Sequence, residues 1–336
     1  MVTTRTLVFV LAAGALAAMA VACKPDLNQT VSIVSEPRIL AVQGDPAEAA
    51  PKDAVKYRAL FVDGSGAIAS PSIQWDFCNA RKPLAELGPV SPQCLQAQGS
   101  WFAPLGVGEH VTGAVPEIAC RQFGPDVPEP EPNQPPGRPT DPDTTGGYYQ
   151  PVRLLAPSSS GEVVGIAETR LACGLNGATA DQASEFSKCY HANVNPVVDS
   201  LATGGVPLVT DENGATNPQQ VGDRLALAVT WAACPPDATG STCPDGCARS
   251  TGCTGAEPYV LFDANTGSLS CKVEGLSTSW FATAGSFDDD RTGPASATTS
   301  LNGWRAPAVP GLVHLWVVLR DDRGGVGWAE YALDVR

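Results

Sequence analysis

Helical patterning, histidine and basic charge are all scarce in this chain, and each scarcity removes a class of function. Across 336 residues there are three histidines, His110, His191 and His314, and none stands in a His-Glu-x-x-His or Gly-x-Ser-x-Gly setting. The signatures of zinc peptidases and serine hydrolases are therefore missing, as is any glycine-rich loop able to cradle phosphate. The 21 Lys and Arg, only six of them Lys, face 35 Asp and Glu and leave a net charge of −14. Such a surface repels nucleic acid and anionic headgroups, which sets both aside as partners. One stretch, 178–190, has the pattern of a short helix. In abundance instead are Gly (34) and Pro (30), which favour short strands joined by many turns, and a hydrophobic content of 43%, ample for packed cores.

The longest apolar run lies at the start. Arg5 precedes an unbroken small and apolar stretch, 7–22, that stops at Ala20-Val21-Ala22-Cys23 and is followed by Lys24-Pro25-Asp26. A secretory core takes roughly 7–15 apolar residues and a spanning helix about 20, so the run fits export better than spanning. The sequence around Cys23 resembles the bacterial lipobox. That resemblance implies a lipoprotein signal peptide over 1–22, acylation of Cys23 as the first mature residue and, because Lys24 and not Asp follows, an outer-membrane or cell-surface address. The alternatives are an ordinary cleaved signal, with Cys23 in a disulfide, and a retained membrane helix. Cleavage leaves 336 − 22 = 314 residues, enough for one large or two medium domains.

Ten further cysteines remain: Cys78, Cys94, Cys120, Cys173, Cys189, Cys234, Cys243, Cys247, Cys253 and Cys271. An even number in an exported chain implies up to five disulfide bonds, with connectivity left open. Five precede residue 195 and five follow it, so if all pair, at least one bond joins the two halves. Of Cys243, Cys247 and Cys253 only one pair has the spacing of a zinc site, and export oxidises thiols, so stapling is the expected role and no metal is expected there. The run Asp288-Asp289-Asp290 and the pair Asp321-Asp322 are candidate calcium ligands, although Asx-rich turns produce the same letters for conformational reasons. No other cofactor is expected.

Strand patterns fill the rest. Residues 23–35 read as a polar tether. Val55, Tyr57, Ala59 and Phe61 alternate with Lys56, Arg58, Leu60 and Val62, and Trp75 is placed to sit between two sheets. Eight prolines crowd 125–142, a stretch that favours extended polyproline conformation and cannot supply a sheet ladder. Leu225, Leu227, Val229 and Trp231 alternate again, a cysteine-rich excursion occupies 232–275, and a final hairpin runs from Val313-His314-Leu315-Trp316 through Asp321-Asp322-Arg323-Gly324-Gly325 to Tyr331-Ala332-Leu333. On that strand His314 shares a face with Trp316 and Arg320, which gives it a structural role.

The final hairpin, with Asn302-Gly303-Trp304 before it, resembles the end of PKD-like immunoglobulin domains, and Trp75-Asp76-Phe77 is similar to part of a motif in the same family. The resemblance implies an all-β chain of two immunoglobulin-like β-sandwich domains with long loop insertions, over 36–194 (carrying the Pro-rich loop) and 195–336 (carrying the Cys-rich insertion). The plan resembles bacterial surface lipoproteins: a cell-envelope lipoprotein, not an enzyme, serving as a binding or structural module for an envelope protein or a polysaccharide. The insertions 79–145 and 232–275 are the expected contact surface. The alternatives are a periplasmic enzyme with its site in those loops and an accessory subunit of an envelope or export machine.

Overall fold

The computed structural model describes residues 31–82, 88–126, 142–159, 161–211, 214–235, 243–244, 247, 253–295 and 298–336. The apolar run 7–22, Cys23 and most of the Pro-rich stretch lie outside the described residues. The first half is built from β1 (Arg38–Asp45), β2 (Glu48–Ala49), β3 (Ala54–Asp63), β4 (Gly66–Ala67), β5 (Gln74–Cys78), β6 (Phe102–Val107), β7 (His110–Ala114), β8 (Tyr149–Ser158) and β9 (Gly161–Leu171). The second half follows with β10 (Ser200–Thr203), β11 (Val206–Pro207), β12 (Asn217–Gln219), β13 (Arg224–Thr230), β14 (Pro258–Asp263), β15 (Ser268–Val273), β16 (Leu276–Ala282), β17 (Ser286–Phe287), β18 (Arg291–Ala295), β19 (Thr299–Arg305), β20 (Gly311–Arg320) and β21 (Val326–Val335). The chain is all-β, and each half is a sandwich of two sheets.

In the first sandwich β1 and β7 flank β3, and the facing sheet runs β2-β9-β8-β5-β6. Alternation on β3 sends Val55, Tyr57, Ala59 and Phe61 inward, where they meet Trp75, Phe77, Val152 and Leu154 of the opposite sheet. Trp75 is buried there, tilted against Tyr57 at 6.1 Å, with its indole N–H donating to the carbonyl of Gly108. The second sandwich places β11-β10-β13-β19-β17 over β12-β21-β20-β16-β18. Its core joins Leu225, Leu227, Val229 and Trp231 to Trp280, Trp304, Val313, Leu315 and Val317.

A third core lies between the halves. Leu60 and Val62 turn to the outer face of β3, Trp316 and Val318 to the outer face of β20, and the four pack together with Leu40 and Ala41 of β1. His314 continues this seam: its ring stacks on Trp316 at 6.0 Å and lies against Gly66, where an added Cβ would come within 2.9 Å of the imidazole. Arg58 completes the seam with its guanidinium 4.0 Å above the ring of Trp328.

Three expectations need correction. The tether over 23–35 does not extend to its stated end, because Ser32 and Val34 are buried and exchange backbone hydrogen bonds with Ala282, the last residue of β16. Apolar Val34 gains more by joining the seam than by staying in water. The insertion 79–145 is not loop throughout, since β6 and β7 lie within it and pair with β5 and β3. The excursion 232–275 likewise contains the hairpin β14–β15. The helix forms as α2 (Ala180–Cys189), after one earlier turn, α1 (Ala119–Gln122). A capping box starts it: the Thr179 hydroxyl accepts from the Gln182 N–H, and the Gln182 side chain accepts from the Thr179 N–H.

All ten described cysteines are paired, as Cys78–Cys94, Cys120–Cys173, Cys189–Cys243, Cys234–Cys253 and Cys247–Cys271. Cys189–Cys243 is the bond that parity requires across residue 195. It fixes α2 to the second half's cysteine-rich segment, where Phe186 and Tyr190 pack beside Cys247 and Val260.

Candidate functional site

Where the halves meet beside α2, six charged side chains converge out of water. Arg323, from the turn joining β20 to β21, is 0% exposed. Its guanidinium donates to Glu48 of β2 at 3.3 Å and to Glu274 at 3.2 Å, lies 3.8 Å from Glu257, and covers the ring of Tyr259 at 5.0 Å. It also donates to the carbonyl of His191 at 2.8 Å. Arg170 of β9 approaches the same Glu48 at 3.4 Å and donates to Thr145 and Tyr149. Glu48 further accepts from the Tyr190 hydroxyl and the Asn193 N–H. Asp321 accepts from the backbone N–H groups of Arg323 and Gly325, each at 2.8 Å, and from the Asn193 amide. The turn is thus locked by its own aspartate.

Four carboxyl groups surround two guanidinium groups, and the imbalance sets the protonation. Burial, reinforced by the charge on Asp321 and opposed by Arg323, pushes the Glu274 carboxyl well above the usual range. Burial raises Asp321 as well, against its hydrogen bonds from Gly325 and Asn193. Burial and neighbouring Glu48 push the Tyr190 hydroxyl up to about 12, which keeps it a neutral donor. Taking charges out of water is expensive, and holding a proton on one carboxyl reduces that cost.

A groove of about 1370 Å³ adjoins this cluster at Asp321. One wall is β1 from Ile39 to Val42, the other is β9 from Val164 to Glu168, and the turn at Asp322 to Val326 closes one end. Arg81, Lys82, Phe123 and Asp143 come from 79–145, so that insertion does line a concavity, whereas none of the described residues of 232–275 lines it. Asp143 holds its own loop, accepting from Thr145, Gly147 and the Tyr149 hydroxyl. Glu168 is raised by desolvation, against Lys82, and Asp322 is likewise raised by desolvation.

The residues singled out from sequence are dispersed. Asp288 pairs with Arg224, Asp290 accepts from Ser32, and the Asp289 N–H meets Asn302, so the three consecutive acids serve three different contacts. His110 lies 3.3 Å from Glu109 on β7, and His314 lies 3.5 Å from Asp211. Among the described residues no group of three or more His, Cys, Asp or Glu is arranged to hold a metal ion, and no helix is long and apolar enough to cross a membrane. Glu48, Arg170, Glu257 and Glu274 carried no signal in sequence. Glu48 lies on β2 and Arg170 on β9, while Glu257 and Glu274 flank the hairpin β14–β15, and only the fold assembles the four.

No protein-family model matches the chain, and no curated protein does. Among solved structures it is similar to the D0-D1 domain of intimin, at 9% identity over 88% of this chain and 98% of that one, with a TM-score of 0.22. The fibronectin(III)-like modules of CbhA from Clostridium thermocellum match at 10% identity over 88% and 94%, with a TM-score of 0.22. A nucleoside hydrolase-related hypothetical protein from Saccharophagus degradans matches at 17% identity and a TM-score of 0.21 over 43% of this chain, which spans 26% of that protein's length. Superpositions this loose carry no argument about activity or partner, and the all-β class rests on the chain's own sheets.

Proposed function

We propose that the chain is an exported, non-catalytic binding module of the cell envelope, held to the outer membrane or cell surface by a lipid on Cys23. Its two sandwiches are read as immunoglobulin-like. The observation that carries this reading is the groove between β1, β9 and the β20–β21 turn, set at a junction made rigid by the seam core, the buried charge cluster and the Cys189–Cys243 bond. Such a concavity is pre-organised, so a ligand does not have to order it, and less affinity is lost on binding. Five disulfides fit an oxidising compartment, and a lipid on Cys23 would hold the module there.

Two measurements test the proposal. Cys23→Ser should move the protein from the membrane fraction to the soluble one and remove acyl mass from the mature chain; a wild type that is wholly soluble and carries no acyl group overturns the anchor. For the groove, Val164→Arg places a charge on an exposed wall position without touching either core. The variant should keep the parent's thermal midpoint and lose the partners that the parent captures from intact envelopes. Equal capture by both places the contact surface elsewhere.

A further inference from the structure

The groove exposes a strand edge of a kind that folded proteins usually cover. β9 is 11 residues long, and β8 pairs with one side of it throughout, from Ser158–Gly161 to Tyr149–Arg170. On the other side β2 lies parallel to it at Arg170 and Leu171 alone. Among the described residues no strand is hydrogen-bonded to that side between Glu162 and Thr169, where the Ile39 side chain of β1 packs against Gly165. The opposite wall is treated differently: on β1 the carbonyls of Leu40 and Gly44 are taken by the side chains of Arg320 and Asn195. Edges are commonly blunted with Lys, Pro, bulges or inward charges. Within Val163-Val164-Gly165-Ile166-Ala167 none of these devices is present, and the charges stand only at the two ends, Glu162 and Glu168.

From this we infer, building on the groove as the binding surface, that β9 accepts an extended polypeptide segment as an added strand, one with an uncharged, β-prone centre and basic residues at both ends, six positions apart. Backbone pairing supplies the affinity of such an addition and the flanking side chains supply its specificity. The placement of the acids selects the occupant. A second copy of β9 paired antiparallel about Gly165 would set Glu162 opposite Glu168 at both ends, and like charges directly opposite are destabilising. A strand with Lys or Arg at those positions meets both carboxylates.

The probe is a fluorescein-labelled peptide, Lys-Thr-Val-Thr-Val-Thr-Lys, titrated into the full-length detergent-solubilised protein and followed by fluorescence anisotropy and amide hydrogen exchange. Saturable binding is expected, with slowed exchange confined to 162–168. A peptide with Pro at its centre, unable to complete the ladder, should not bind. Glu162→Lys with Glu168→Lys should weaken the basic peptide about tenfold and favour its Glu-ended analogue. Unchanged exchange at 162–168, equal binding of the Pro peptide, or indifference to the charge reversal each overturns strand addition. So does protection of 162–168 that rises with protein concentration alone, which would make a second copy the occupant. If the peptide fails while Val164→Arg still abolishes envelope capture, the groove remains the binding surface and strand addition alone is rejected. If both fail, both readings fall.

Discussion

Arg323 faces acids contributed by both halves, so its removal strips a positive charge from beside Glu48, Glu257 and Glu274 at once, with only Arg170 left against Glu48. Breaking a buried pair in this way typically costs about 3–5 kcal/mol. Arg323→Met should lower the free energy of urea unfolding by about that amount while preserving the side chain's volume. Glu274 supplies a second, pH-dependent expectation. An ordinary Glu releases its proton near 4.5, whereas burial holds the proton on Glu274 up to about 9. The native state therefore binds the proton more tightly than the unfolded chain. This contribution to stability is complete below about pH 4.5 and is lost as the pH rises toward 9. The wild-type unfolding midpoint should fall between pH 5 and pH 9, and Glu274→Gln, neutral throughout, should flatten the profile. A midpoint that rises with pH in the wild type would contradict the assignment.

β20 shows why some of the fold was legible in advance and some was not. Its alternation, Val313, Leu315 and Val317 against His314, Trp316 and Val318, marks a strand from sequence alone, and one face enters the second sandwich as that pattern requires. The opposite face carries Trp316 and Val318, too apolar for solvent, because it packs on β1 and β3 of the other half. Leu60 and Val62 on β3 carry the same signal, apolar letters where a half-buried strand should be polar. A period of two identifies the strand but does not say which distant face its second side will meet. The charge cluster was hidden for a stronger reason: Asp321-Asp322-Arg323-Gly324-Gly325 has the composition of a solvated turn, and nothing local shows that Glu48 lies against it. Trp316→Ala tests the seam. It should cost about 3–5 kcal/mol and give two calorimetric transitions where the wild type is expected to give one, whereas an undivided transition in the variant would mean that the charge cluster couples the halves by itself.

Taken whole, the molecule is two sandwiches joined by three different means: an apolar seam, a buried set of charges and one disulfide across the midpoint. The parity of the cysteines foretold the disulfide without foretelling its partners, since only the fold brings the end of α2 beside the cysteine-rich segment. Replacing Cys189 and Cys243 together by Ser should lower stability by roughly 2–4 kcal/mol, with the hairpin β14–β15 losing amide protection before β13 or β20. Loss of protection first in β13 would place the weak point elsewhere. A final consequence comes from the start of the described chain. Because Ser32 and Val34 are sewn to Ala282, the leash from the proposed lipid on Cys23 would be the eight residues 24–31, not the twelve residues 24–35. Eight residues reach at most about 29 Å even when fully drawn out. The end of β16 would then stay within that radius of the bilayer, so the body would patrol a shallow layer above the membrane, and whatever enters the groove would have to come to meet it there.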